Sequence, residues 1–282
     1  MNAADLSALL ARRSGSNFYY SFLFLPRRKR QAIYALYAFC RTVDDAVDQG
    51  SATPSEQRRI LAEWRLELAR VYDGRPTQPI AQHLADVVRA FPVQRQHLEA
   101  ILDGVEMDID KRRYASFEEL LEYCYRVASA VGLCCIEIFG YTDPRARDYA
   151  VNLGVALQLT NIMRDLRTDA ERGRIYLPLD EIRRFGYSED ELLHGRHTPA
   201  FVSLMRFQAD RAHAYYRAAR AARAAADRRR LVAAEIMGGI YHALLRDIEA
   251  RQFRVFDGRI RLSTPKKIAL ALGIYLRGQL AS

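Results

Sequence analysis

Two stretches of this chain carry acids at a spacing that could do chemistry. In YALYAFCRTVDDAVD, Tyr37, Arg41, Asp44 and Asp48 step by four, three and four, so a helix would put them on one face. Ala32, Leu36, Cys40, Val43 and Val47 step along a neighbouring apolar face. In LGVALQLTNIMRDLRTDAERGRIYLP, Gly154, Gln158, Asn161 and Asp165 repeat the same steps, and Asp169 adds a further turn. Leu153, Leu157, Thr160 and Arg164 run beside them. A row of ionisable groups beside a core row is costly unless each charge has a partner.

Acids one helical turn apart stand roughly 6 Å apart along the axis. Two such carboxylates cannot both enter an apolar interior; one takes up a proton or a cation intervenes. Mg²⁺ meets this need, because it takes oxygen ligands, keeps several waters and joins one or two carboxylates to phosphate oxygens. If the two segments fold against each other, their acids would hold a metal–diphosphate cluster. Arg41, Arg164 and Arg174 are near enough in sequence to neutralise the remaining phosphate charge with bidentate hydrogen bonds. An Asp pair at i, i+4 taken alone is ordinarily a solvated face. Two rows of matched spacing, each in an apolar helix and each with an Arg, favour the metal.

Positioning those rows calls for long helices, and the rest of the chain supplies them. Half of its 282 residues are apolar, Gly (15) and Pro (9) are sparse, and Ala, Leu and Arg dominate, a mix that favours helix. Alternating β-branched runs bounded by turn signals are hard to find. Breaker-rich stretches at SATPSEQ, DGRPTQP, Phe91–Pro92, GYTDP and Arg196–Pro199 separate the helical patterns. The patterns cover Arg27–Val47, Gln57–Tyr72, Phe117–Phe139, Arg145–Asp169, Pro199–Ala226 and Arg229–Phe253. No break is long enough for a flexible linker, so residues 1–282 are expected to form one all-α domain.

The net charge of +9 is compatible with nucleic acid, an anionic membrane or phosphorylated substrates. Cys40, Cys124, Cys134 and Cys135 lack zinc-ligand spacing and read as small core residues in a reducing compartment. The first residues, MNAADLSALLARR, have neither a basic n-region nor a long apolar stretch. The late apolar run Ile268–Leu276 is far short of the roughly 20 residues needed to span a bilayer. A cytoplasmic protein is expected, resting on the inner face of the plasma membrane.

At these residues the chain resembles the squalene and phytoene synthase family of head-to-head prenyltransferases. The resemblance rests on Tyr34–Asp48, on YCYRVASAVG (Tyr123–Gly132), on Gln158–Pro178 and on the opening NFYYSFLFLP (Asn17–Pro26), and it covers nearly the whole chain. It implies an isoprenoid-synthase-type helical bundle with a central cavity. It also implies Mg²⁺, two or three ions bound with diphosphate, on Asp44 and Asp48 of one helix and Asn161, Asp165 and Asp169 of another. Tyr37, Arg41, Gln158, Arg164, Arg174 and Tyr176 would line the site and contact diphosphate, with Arg41, Arg164 and Tyr37 joining the acids in catalysis. Tyr241 in GGIYHALL and Arg259 in FDGRI match later substrate-binding positions. Phe18 and Phe22 would wall the hydrocarbon pocket, although an aromatic stripe is more often plain core.

Within the family, FYYSFLFLPRRKRQAIYALYAFCR most closely resembles the bacterial presqualene diphosphate synthases of hopanoid biosynthesis. That implies two farnesyl diphosphates as substrates, no NADPH, and pathway enzymes and a membrane surface as partners. Squalene, dehydrosqualene and phytoene synthases are the alternatives inside the family, and a non-catalytic helical assembly factor is the alternative outside it. Arg126–Ser129 departs from the family, where an aromatic or glycine commonly precedes Val-Ala and a glycine follows.

Other features read as structural. His194 and His197 flank Gly195 with no third metal ligand nearby. Arg217, Arg220 and Arg223 read as a solvated face, and no nucleic-acid motif accompanies them. ERGRIYLP (Glu171–Pro178) reads as a mobile flap, and the tail from Lys266 alternates basic and apolar residues in a way that suits a membrane surface.

Overall fold

A computed structural model describes residues 21–48 and 52–280. Among these residues are twelve α-helices and no β-strand: α1 (Arg27–Asp48), α2 (Pro54–Tyr72), α3 (Pro79–Ala90), α4 (Arg95–Asp110), α5 (Phe117–Cys124), α6 (Ala130–Phe139), α7 (Ala146–Glu171), α8 (Leu179–Arg184), α9 (Glu189–Leu193), α10 (Pro199–Ala222), α11 (Val232–Ala250) and α12 (Thr264–Leu280). Buried apolar side chains from Phe22 to Ala271 form one contiguous cluster.

Local chemistry explains where several helices begin. The SATPSEQ stretch is a start signal: Thr53 accepts from the Glu56 N–H, Glu56 reaches back to the Thr53 N–H, and Pro54 sits where no donor is needed. The helix therefore opens three residues before the expected Gln57. Ser188 and Glu191 repeat the device at α9.

Helix α7 is the centre of the molecule. α10, α6, α11 and the turn Tyr125–Ser129 all pack on it, so its residues are buried on nearly every side. The expected single helix Phe117–Phe139 is broken by that turn, which has π-helical geometry. Its cause is close approach from two sides. A Cβ at Gly154 of α7 would lie 2.6 Å from the Ser129 Cα, and one at Gly104 of α4 would lie 2.8 Å from the Arg126 Cβ. Ser129, which departs from the family's glycine, is fully buried and donates to the Val151 carbonyl at 2.9 Å.

Three expectations are corrected. α1 and α7 do not fold directly against each other: both pack on α6, and contact between them is at most marginal. The arginines of α10 and of its C-cap are not all solvated. Arg223 pairs with Glu235, which also accepts from the Tyr149 hydroxyl at 2.7 Å, while Arg220 donates to His242 Nδ1 at 3.0 Å. The Glu171–Pro178 stretch is also no loose flap. Ile175, Tyr176 and Leu177 are buried, and Ile175 forms a parallel bridge with Arg113.

Candidate active site

The second acid row lies on the central helix α7, half of whose residues are buried, so its charges need partners, and they have them. The Asp165 carboxylate is gripped by two guanidiniums, each through two hydrogen bonds. Arg164 Nε donates to Oδ1 at 2.9 Å and its Nη2 to Oδ2; Arg259 donates from Nε at 3.0 Å and from Nη2 at 3.3 Å. Burial would raise the Asp165 pKa, but the two arginines outweigh it and hold the carboxyl below its usual value. Arg164 also interacts with the Tyr241 side chain, and Tyr241 is buried on α11. The neighbours Arg164 and Asp165 are thus brought together with Tyr241 and Arg259 from far along the chain.

Asp169, one turn further, has the opposite fate. Burial, then the charges of Asp165 and Asp108, push its pKa up to about 7 against the pull of Arg174 and Arg172. Asn161, one turn before Asp165, donates one long hydrogen bond: its Nδ2 lies 3.4 Å from Gln158 Oε1. Its Oδ1 is buried with no hydrogen-bond partner.

Arg174 and Tyr176 face a residue that the sequence reading missed. Asp108 of α4 accepts from the Tyr176 hydroxyl at 2.7 Å and the Tyr123 hydroxyl at 2.8 Å, while its carbonyl accepts from Arg174 at 3.1 Å. Tyr123 and Tyr176 stack at 5.1 Å beside Tyr114. The missed signal was present: Asp108 follows Gly104 and Val105 by four and three, so a carboxylate stands on the apolar face of α4.

On α1, Arg41 reaches Asp45 as well as Asp44. Its Nε lies 3.0 Å from Asp45 Oδ2, whereas Nη1 is 3.4 Å from Asp44 Oδ2. Asp45 is the second residue missed. Tyr37 is half-buried one turn before Arg41. Asp48 closes α1, but its side chain lies outside the described residues, as does Phe18. Phe22 is buried edge-on to Tyr34 at 6.3 Å. Burial and the neighbouring Cys135 and Asp44 push the Cys40 thiol well up, and burial pushes Cys135 up to about 12, so neither supplies a thiolate.

Among the described residues, no three His, Cys, Asp or Glu side chains gather closely enough to hold a metal ion. The donor set nevertheless suits a hard cation. Asn161 Oδ1 is a buried oxygen without a partner, and Asp165 and Asp169 are oxygen donors one turn apart on the same helix. In this state the Asp165 oxygens are taken by arginines.

Comparisons with known proteins place the chain in a family. A 15-cis-phytoene synthase from Synechocystis sp. is 38% identical over 291 residues, covering 98% of this chain and 86% of that protein. A presqualene diphosphate synthase from Rhodopseudomonas palustris is 38% identical over 260 residues, 92% of each chain. The crystal structure of a dehydrosqualene synthase with ligand superposes with a TM-score of 0.87 at 28% identity, covering 98% of this chain and 96% of that one. It shares the all-α isoprenoid synthase fold. The family profile described as squalene/phytoene synthase matches residues 11–266, and the chain is therefore an enzyme of that family of head-to-head prenyltransferases.

Proposed function

We propose that this enzyme joins two farnesyl diphosphates head to head into presqualene diphosphate, releasing one diphosphate and one proton, in the hopanoid and squalene pathway. The observation that carries the reading is the double guanidinium grip on Asp165 beside the unpartnered Asn161 oxygen. Arg164 and Arg259 have planar forks that match a diphosphate as well as they match a carboxylate. A diphosphate arriving here could therefore draw both arginines from Asp165.

On this reading Asp44 and Asp48 of α1, with Asn161, Asp165 and Asp169 of α7, would hold Mg²⁺. When bound with diphosphate it supplies charge neutralisation that weakens the allylic C1–O bond. Arg41, Arg164 and Arg259 bind the leaving diphosphate, and their hydrogen bonds strengthen as negative charge builds on the departing oxygen. The double bond C2–C3 of the second substrate attacks the resulting cation, and loss of a proton closes the cyclopropane. The apolar side chains around the site exclude water from the cation. No step needs a reductant, so NADPH is not expected.

The presqualene diphosphate synthase relative supports the fifteen-carbon substrate, since it matches 92% of both chains. The equally similar phytoene synthase favours a twenty-carbon second reading. Purified enzyme should therefore be given farnesyl or geranylgeranyl diphosphate with Mg²⁺, with and without NADPH, and the lipid product identified. Presqualene diphosphate in both NADPH conditions is the expected result. Squalene formed only with NADPH, or turnover of the twenty-carbon substrate alone, would overturn it. Asp48→Ala and Asp165→Ala should each abolish turnover with an unchanged circular dichroism spectrum; activity retained in both would remove the metal assignment.

A further inference from the structure

Helix α12 has two apolar faces, and the fold uses one of them. Ala271 and Gly278 are buried, and Ile274 fills the space that a side chain at Gly239 of α11 would need. On another face Ile268, Leu272 and Leu276, at i, i+4 and i+8, are 50%, 48% and 50% exposed. At about 100° per residue these three span an arc of about 80°, and exposed Ala269 lies just beyond it. Phe24 stacks on Tyr275 at 4.6 Å, and its neighbour Leu23 is a further exposed aliphatic side chain. Scattered exposed leucines need no explanation, but an ordered stripe on one helix does.

The charge around the stripe says what covers it. From Gly258 onward the chain carries Arg259, Arg261, Lys266, Lys267 and Arg277 and no acidic residue. Exposed Lys266 and Arg277 stand at the two ends of the helix, about 80–100° around it from Leu276. Lys266 also donates to Asp247 at 3.0 Å, and Arg229 donates to the Gln279 carbonyl at the helix's C-terminal end. Among the described residues no helix is long and apolar enough to cross a membrane. An aliphatic stripe with a basic edge instead fits a helix lying in the headgroup layer.

We propose that α12 docks this enzyme on a bilayer surface of anionic phospholipid, with Ile268, Leu272 and Leu276 entering the acyl boundary and Lys266 and Arg277 meeting headgroup phosphates. The docking does not depend on which prenyl diphosphate is the substrate, and its readout is binding rather than turnover.

The test is flotation of the full chain with vesicles of equimolar phosphatidylglycerol and phosphatidylcholine, and with phosphatidylcholine alone. The wild type should float with the anionic vesicles, and much less with the neutral ones. The triple variant Ile268→Ser, Leu272→Ser, Leu276→Ser should lose at least tenfold in partitioning while keeping its circular dichroism spectrum and its turnover of detergent-dispersed substrate. Leu272→Gln alone should show a smaller loss in the same direction, which keeps the test decisive if the triple variant misfolds. A wild type that stays with neither vesicle, or variants that float as well as it does, would overturn the proposal. So would a stripe whose loss only turns a dimer into a monomer in sedimentation, since its occupant would then be a second copy.

Discussion

Arg41 is shared unequally between two neighbouring acids, and that inequality has a functional consequence. It is held by Asp45 through two close approaches, 3.0 Å at Nε and 2.6 Å at Nη2, and by Asp44 through one of 3.4 Å. All three side chains are about a third or more exposed, so the pairs add at most about 1 kcal/mol to stability. Their effect on where the guanidinium points is larger. Asp45→Ala should lower kcat/KM about tenfold, the equivalent of about 1.4 kcal/mol at the transition state, while the melting temperature barely moves. Steady-state kinetics beside a thermal melt checks this, and an unchanged kcat/KM would show that Asp45 does not position Arg41. At this scale the sequence was readable where a polar row repeated its spacing, as from Gln158 to Asp169. Asp45 and Asp108 escaped because their roles come from partners: Asp45 lies off the stepped row, and Asp108 meets Tyr176 across 68 residues of chain.

The elements were legible where local chemistry sets them and obscure where close packing does. Apolar spacing found α1, α7, α10 and α11 to within a few residues. It missed α3 and α4, which lie in the stretch between DGRPTQP and Phe117, and it could not foresee the π turn at Tyr125–Ser129. A π turn is a rare, strained register, and here it is imposed by neighbours that only the fold brings together. Gly154 is the most exacting of these, because an added Cβ would meet the Ser129 backbone at 2.6 Å rather than a side chain that can swing away. Gly154→Ala would ordinarily gain about 1 kcal/mol of helix propensity. Overpacking against the turn should more than offset that gain and cost a net 1–3 kcal/mol, roughly. For a chain of this size the melting temperature should fall by about 2–10 °C. Turnover should fall with it, because Gly154 shares α7 with Asn161 and Asp165. A variant as stable as the wild type would mean that the turn relaxes to an ordinary helix at no cost.

Across the whole molecule, the resting site is closed on its own charges. Asp165 is satisfied by Arg164 from its own helix and by Arg259 from 94 residues along the chain. A cation seeking the Asp165 oxygens must displace two guanidiniums, whereas an anion that attracts those guanidiniums releases the carboxylate. Metal and diphosphate should therefore bind with positive coupling, each strengthening the other by the same factor. Coupling of about tenfold is about 1.4 kcal/mol, enough to raise the melting temperature some 3–6 °C beyond the sum of the separate shifts. Mg²⁺ alone should shift it little, and a non-ionising thiodiphosphate analogue of the substrate with Mg²⁺ should shift it most. Mg²⁺ and diphosphate also associate in solution, so the excess needs a control. Arg259 is 46% exposed and can be replaced without leaving a buried charge of its own. In Arg259→Gln the response to Mg²⁺ alone should grow and the excess should shrink, since Asp165 then has one competitor fewer. An excess that is the same in the variant would trace the coupling to solution chemistry, and additive shifts in the wild type would mean that the arginines do not gate the acid row.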